Sequence, residues 1–334
     1  MRFGAAQGRY VSASRSTSTV EYPQTTVTQR RERFRELLAG DRLVFPAQVW
    51  NPVSAQIAED LGYDVGFVAG PMSAHALLGA PNHYLLLLTA TELAQHIRRI
   101  ARASSLPLLT VAEDGFGNAL NVMRTVEEFE AAGASALTLD DPMLPFRFGN
   151  ESADIGLETW EQPWREFVPI DEQVGKLKAA LEARQDKSLV ICARTRALAQ
   201  GGKAALDDVV RRVAAYERAG VDALMVGDIH TREELEAIHA ATSLPILLNS
   251  ASSLRLVAEG ESDDEVLLAN GIRFRNTGNH AYWASVKATY DALSAMRDIK
   301  DGKVPDEVPR ISPELKAQLS RLDRYAEWSK RFMS

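Results

Sequence analysis

Acidic residues that follow apolar runs are the first candidates for chemistry in this chain. Leu108-Leu-Thr-Val-Ala112 is apolar and β-branched, and it stops abruptly at Glu113-Asp114 before a Gly115-Phe-Gly117 turn. Ala134-Ser-Ala-Leu-Thr-Leu139 stops in the same way at Asp140-Asp141-Pro142, and Ser188-Leu-Val-Ile-Cys-Ala193 ends at Arg194. Carboxylates can move protons or hold a hard cation, and a guanidinium offers a two-pronged fork to a substrate carboxylate. Arg194, Glu113 and Asp140 are therefore the candidate catalytic set for a small anionic substrate, with Glu113, Asp140 and Asp114 as candidate metal oxygens. An acid at a strand end also commonly caps a helix or completes a turn, and a buried arginine can be a structural partner of Asp140. Cys192 lies two residues before Arg194, shares its strand face and reads as core filler.

The elements that must position these residues alternate. Strand-like runs occur near 43–49, 65–69, 108–112, 134–139, 188–193, 223–226, 245–248 and 272–274, and most are followed by helical spacing. Asn51-Pro52 and Asn118 are helix starts, and Gly133 and Gly220 close helices. Eight strand–helix units in one chain of 334 residues predict a (β/α)8 TIM-type barrel, whose site lies at the C-terminal ends of the strands. The remaining tips there are Trp50, Ala69, Gly70, Asn249, Asn279 and His280, which are the candidate substrate-binding residues, with Asp228–His230 beside them.

Bulk composition narrows the class. Hydrophobic residues at 46% and charged residues at 25% suit a globular protein with a sizeable core. A net charge of -7 argues against a nucleic-acid partner. A single cysteine rules out a disulfide framework and fits a reducing cytoplasm. No apolar run is long enough to span a bilayer, so no membrane partner is expected. Residues 1–28, rich in Ser, Thr and Arg, read as a disordered tail or a processed targeting segment; 29–300 read as the barrel. Residues 301–334 read as a helical extension for oligomer contacts, with one amphipathic helix over Pro313–Met333.

Gly115-Phe-Gly-Asn-Ala-Leu-Asn-Val-Met-Arg-Thr-Val126, Leu139-Asp140-Asp141 with Pro145, and Ala193-Arg194-Thr195 together resemble the isocitrate lyase/phosphoenolpyruvate mutase superfamily. Asn118 to Val126 and Lys287-Ala-Thr-Tyr-Asp291 resemble its oxaloacetate decarboxylase-like branch. The resemblance implies a barrel whose last helix is exchanged between subunits of a dimer or tetramer. It also implies Mg²⁺-dependent chemistry on a small carboxylate through an enolate. Arg194 would hold the substrate carboxylate and the Ala69 and Gly70 amides its other oxygens. The chain departs from the pattern at Val111 and Asn82, which replace family aspartates, so Mg²⁺ is expected to bind weakly or through other oxygens. Asn279 stands where the decarboxylase branch has a histidine, next to His280. The resulting expectation is a carbon–carbon lyase or decarboxylase acting on a small 2-oxo or 2-hydroxy dicarboxylate. The alternatives are a metal-independent hydrolase or isomerase, with the Phe146–Pro169 loop as a lid, and a non-catalytic carboxylate binder.

Overall fold

A computed structural model describes residues 25–80, 86–145, 166–249, 262–297, 299, 303–306 and 308–333. Within 25–310, eight strands run parallel in chain order: β1 (Ala47–Gln48), β2 (Gly66–Val68), β3 (Leu108–Val111), β4 (Ala136–Asp140), β5 (Val190–Thr195), β6 (Ala223–Val226), β7 (Ile246–Leu248) and β8 (Ile272–Arg275). Val44 donates to Arg273 O at 2.9 Å and accepts from Arg275 N at 2.9 Å, which joins the first edge of the sheet to the last. The expected TIM-type barrel is present.

Alternation along the strands divides the apolar residues into two sets. Leu109, Val111, Ala136, Cys192, Met225, Leu247 and Phe274 pack with one another inside the ring. Leu108, Leu137, Leu139, Ile191, Ala193, Leu224, Val226 and Leu248 pack outward. They meet helices that include α4 (Ala90–Ala101), α5 (Ala119–Ala132), α6 (Ile170–Ala183), α7 (Gly202–Ala219) and α8 (Arg232–Ala240). Helix α4 shows why such segments are helical. Thr89 and Glu92 form a capping box, worth about 1 kcal/mol, and Leu93, Ile97 and Ile100 fall on one fully buried stripe. Truncating one of these to Ala would cost about 2–5 kcal/mol.

Two helices differ from expectation. The first, α1 (Val27–Ala39), is capped by Thr26 and so begins inside the stretch read as a tail. Its Phe34 and Leu37 pack with the interior set, and its arginines are anchors. Buried Arg31 donates to Ala134 O and Glu130 O and pairs with Asp186 at 2.7 Å. The second is α3 (Gly70–Leu78), which starts directly after β2, so that Ala69 and Gly70, read from the sequence only as a strand tip, also open a helix. Pro71 in its first turn suits that start, because proline lacks the N–H that a helix N-terminus leaves unpaired. Shorter helices α2 (Pro52–Asp60) and α9 (Asp263–Ala269) and the long α10 (His280–Met296) complete this unit.

Residues 311–333 form a separate unit. The single helix expected there is two, α11 (Pro313–Leu319) and α12 (Leu322–Phe332), because Arg321 between them takes a left-handed φ of 54°. Leu322, Tyr325, Trp328 and Phe332 of α12 are exposed.

Candidate active site

The strand ends carry two acid pairs, Glu113-Asp114 and Asp140-Asp141, and the fold splits each pair. One member of each faces into the ring and the other faces the helix layer.

Asp140 and Arg194 are register partners on β4 and β5. Parallel register puts both side chains on the same face, and Arg194 Nη1 lies 3.0 Å from Asp140 Oδ2 and 3.3 Å from Oδ1. Both residues are buried, as is Glu113. The Glu113 carbonyl accepts from the Asp140 amide at 2.7 Å, which ties the two tips together. Burial raises the Glu113 carboxyl well above its ordinary range, and the neighbouring Asp140 charge raises it further, against Arg194. Burial also pushes Asp140 up to about 7, with Arg194 opposing it. Two buried carboxyls thus share one guanidinium, so the cluster favours an added proton or cation.

Backbone geometry at this tip is strained. Glu113 has a left-handed φ of 51°, which costs a non-glycine residue about 1–3 kcal/mol. Gly115 at φ 86° follows, and a Cβ there would lie 2.2 Å from Val122 Cγ2, so the turn tolerates only glycine. Asn118 then caps α5 through its own side chain.

The outward acids have dedicated partners. Asp114 accepts from Phe116 N at 2.9 Å, and its other oxygen is 3.5 Å from Lys176 Nζ on α6. Both oxygens are engaged, so Asp114 does not join the inward set as a third metal oxygen. Asp141 is fully buried, and its Oδ2 accepts from Tyr216 Oη at 2.7 Å and from Arg212 Nη1 at 3.2 Å, both on α7. Arg212 also donates to Val168 O and lies 5.3 Å from the Phe167 ring centre. Asp141 is a buried anchor and not a simple turn residue before Pro142.

The other expected residues are distributed as follows. Ala69 and Gly70 are buried where β2 passes into α3, with their amides at that helix's N-terminus, where the backbone carries partial positive charge. Trp50 is half-buried and meets the Tyr282 ring edge-on at 5.3 Å. Tyr282 in turn bonds His75 Nδ1 at 2.6 Å. Asn249 follows β7, and its carbonyl accepts from Asn276 Nδ2 at 2.9 Å. Asn279 serves as the first residue of the α10 cap, and His280 is exposed, so neither is bonded into the Arg194–Asp140–Glu113 cluster. Asn82 and residues 146–165 of the expected lid lie outside the described residues.

Several polar neighbours escaped sequence reading. Gln48 donates to Asn276 Oδ1 at 2.5 Å, both buried at strand ends. Arg196, just beyond β5, pairs with Asp228 through two 2.8 Å bonds. The available signal was strand alternation, since Gln48 shares its parity with Trp50 and Arg196 with Arg194.

Among the described residues no group of three or more His, Cys, Asp or Glu side chains comes together, and Val111 is buried with the interior apolar set. Glu113 and Asp140 nevertheless supply two hard oxygen donors with more negative charge than Arg194 neutralises. Mg²⁺ is commonly held by one or two carboxylates, with water and substrate completing its shell. The pair fits such a cation.

A known family matches most of the chain: the phosphoenolpyruvate phosphomutase model aligns with residues 34–297. The chain belongs to that family. It is 44% identical over 270 residues to the oxaloacetate decarboxylase of Rhodopseudomonas palustris strain BisB18, covering 81% of this chain and 86% of the relative. Among solved structures it resembles phosphoenolpyruvate phosphomutase from Streptomyces platensis subsp. rosaceus, with a TM-score of 0.74 and 27% identity over 91% of this chain and 99% of that one. It also resembles phosphonopyruvate hydrolase crystallised with oxalate and Mg²⁺, with a TM-score of 0.74, 28% identity and the same two coverages.

Proposed function

We propose that the protein is a carbon–carbon lyase or decarboxylase acting on a small 2-oxo or 2-hydroxy dicarboxylate such as oxaloacetate. The observation that carries the proposal is the buried Arg194–Asp140–Glu113 cluster at the C-terminal mouth of the barrel. Family membership and the 44% identity to an oxaloacetate decarboxylase support the same substrate class.

In this reading Arg194 grips the carboxylate beside the oxo or hydroxy carbon, a charge-assisted contact stronger than a neutral one. The Ala69 and Gly70 amides, at the positive end of α3, take the oxygen that gains charge as the enolate forms. Glu113 and Asp140 would hold Mg²⁺, which supplies Lewis-acid stabilisation of that developing charge. Burial and the neighbouring Asp140 charge raise the proton affinity of Glu113, so Glu113, when not on the cation, can take up a proton and deliver it to the enolate carbon.

We further propose assembly as a homo-oligomer, dimer or tetramer, supported by the apolar side chains that α12 exposes on a single chain. A cytoplasmic setting fits the lone buried Cys192 and the lack of any membrane-spanning helix among the described residues.

Assaying oxaloacetate and substituted malates with Mg²⁺, and again after chelation, tests the proposal. Release of a 2-oxo acid that falls on chelation and recovers with Mg²⁺ is expected. Turnover that is indifferent to chelation would remove the metal from the mechanism, and no turnover of any such acid would remove the lyase.

A further inference from the structure

Arg194 accounts for one carboxylate of a dicarboxylate; the proposed substrate class carries a second. Arg196 lies two residues further along the same strand direction and has the same parity. Its guanidinium is gripped side-on by Asp228, Nε to Oδ2 and Nη2 to Oδ1, each at 2.8 Å.

Three independent features show that this arm is placed with care. Gly227 lies directly beneath it: a Cβ there would meet Arg196 Cγ at 3.1 Å and Nε at 3.2 Å, with Asn249 Nδ2 at 3.4 Å. Absence of a side chain at 227 therefore lets the arm cross the end of β6 towards β7. Asp228, the residue that grips it, takes a left-handed φ of 61°, a strained conformation for aspartate that persists where surrounding structure demands it. The arm is also near the chemistry, because Arg196 continues the inward-facing parity of Arg194 just beyond the end of β5. A solvated surface pair would need neither the glycine nor the strain, and this pair is only about one-fifth exposed (22% and 16%).

We infer that Arg196, aimed by Asp228 across Gly227 and flanked by Asn249, forms a second carboxylate subsite that selects four-carbon dicarboxylates over shorter acids. The inference rests on the proposed function for the first subsite at Arg194. Its contribution is to recognition: a cation on a carboxylate about to leave as CO2 slows that departure, so the contact belongs to binding and not to bond breaking.

Titration calorimetry with two probes in the presence of Mg²⁺ tests this. Oxalate reaches only the first subsite. Succinate carries two carboxylates at four-carbon spacing and has no 2-oxo or 2-hydroxy group to take up charge, so it binds without being cleaved. Arg196→Gln is expected to weaken the four-carbon probe roughly thirtyfold, the loss typical of truncating one partner of a buried charge pair, and to change oxalate by less than about twofold. Gly227→Ala keeps every charge but displaces the arm, and should weaken the same probe selectively. Unchanged oxalate binding shows that each variant is folded. Equal losses for the two probes, or no loss for either, would overturn the second subsite while leaving the first intact. Oxalate binding that survives Arg194→Gln would instead overturn the first subsite, and a wild-type protein that binds neither probe would overturn both.

Discussion

Asp140 and Arg194 stand opposite each other on neighbouring strands, their charged groups 3.0 Å apart and both buried. The pair is structural, and Asp140 also neighbours a second buried carboxyl at Glu113. Removing the guanidinium strands a buried charge. Arg194→Gln should destabilise the fold by about 3–5 kcal/mol at pH 8, the range for breaking a buried ion pair. At pH 5.5 the loss should shrink, since Asp140, at about 7, is then protonated. Chemical denaturation of both proteins at the two pH values measures the difference; equal losses would mean that Asp140 is not the partner that matters.

The raised proton affinity of Asp140 gives a signed pH dependence. An unfolded aspartate titrates near 3.9, while the folded one titrates at about 7. Between these values the folded state binds the extra proton, so stability falls as pH rises through that window. Glu113 shifts in the same direction. Thermal unfolding of metal-free protein should show a higher Tm at pH 5.5 than at pH 8, and Asp140→Asn should flatten the slope. A wild-type Tm that climbs across this range would contradict the assignment. Added Mg²⁺ should raise the Tm mainly at the alkaline end, where both carboxylates are charged.

Glu113 carries a backbone strain and a buried carboxyl together, the combination expected where function is maintained at a cost to stability. Glu113→Gly should therefore raise the Tm, since glycine accepts a φ of 51° and removes the ionisable group. Turnover should fall at least about 100-fold, the usual scale for removing a proton donor. Calorimetric Tm and steady-state rate from one preparation check both halves, and a variant that is both less stable and fully active would defeat the account.

Behind the site, Tyr216 and Arg212 hold Asp141 and bind the 166–168 segment to the end of β4. Tyr216→Phe deletes one hydrogen bond to a buried carboxyl and should cost about 1–3 kcal/mol. Arg212→Met should cost more, because it also loses the Val168 bond and the stacking on Phe167. Urea denaturation of the two variants gives the order directly, and a Tyr216→Phe protein as stable as wild type would show that Asp141 is held by other means.

Barrel order and the three inward groups were legible because strand alternation and glycine-closed helices are local signals. The outward fate of Asp114 and Asp141 was not. Their partners Lys176, Arg212 and Tyr216 lie more than 60 residues away in sequence, and the left-handed backbone at Glu113 breaks simple parity just where the acids begin. Helix α3 escaped because glycine and proline after a strand read as a turn, although proline is also at home in a helix's first turn. The anchoring role of Arg31 on α1 was not legible either, because only the fold brings the Ala134 and Glu130 carbonyls to it.

Pyruvate release from oxaloacetate, measured in parallel for wild type and Arg194→Gln with Mg²⁺ present, probes the central claim most directly. Steady release by wild type and a loss of roughly 1,000-fold or more in kcat/KM on substitution, about 4 kcal/mol of transition-state stabilisation, is the result expected. Comparable rates for the two proteins would contradict it.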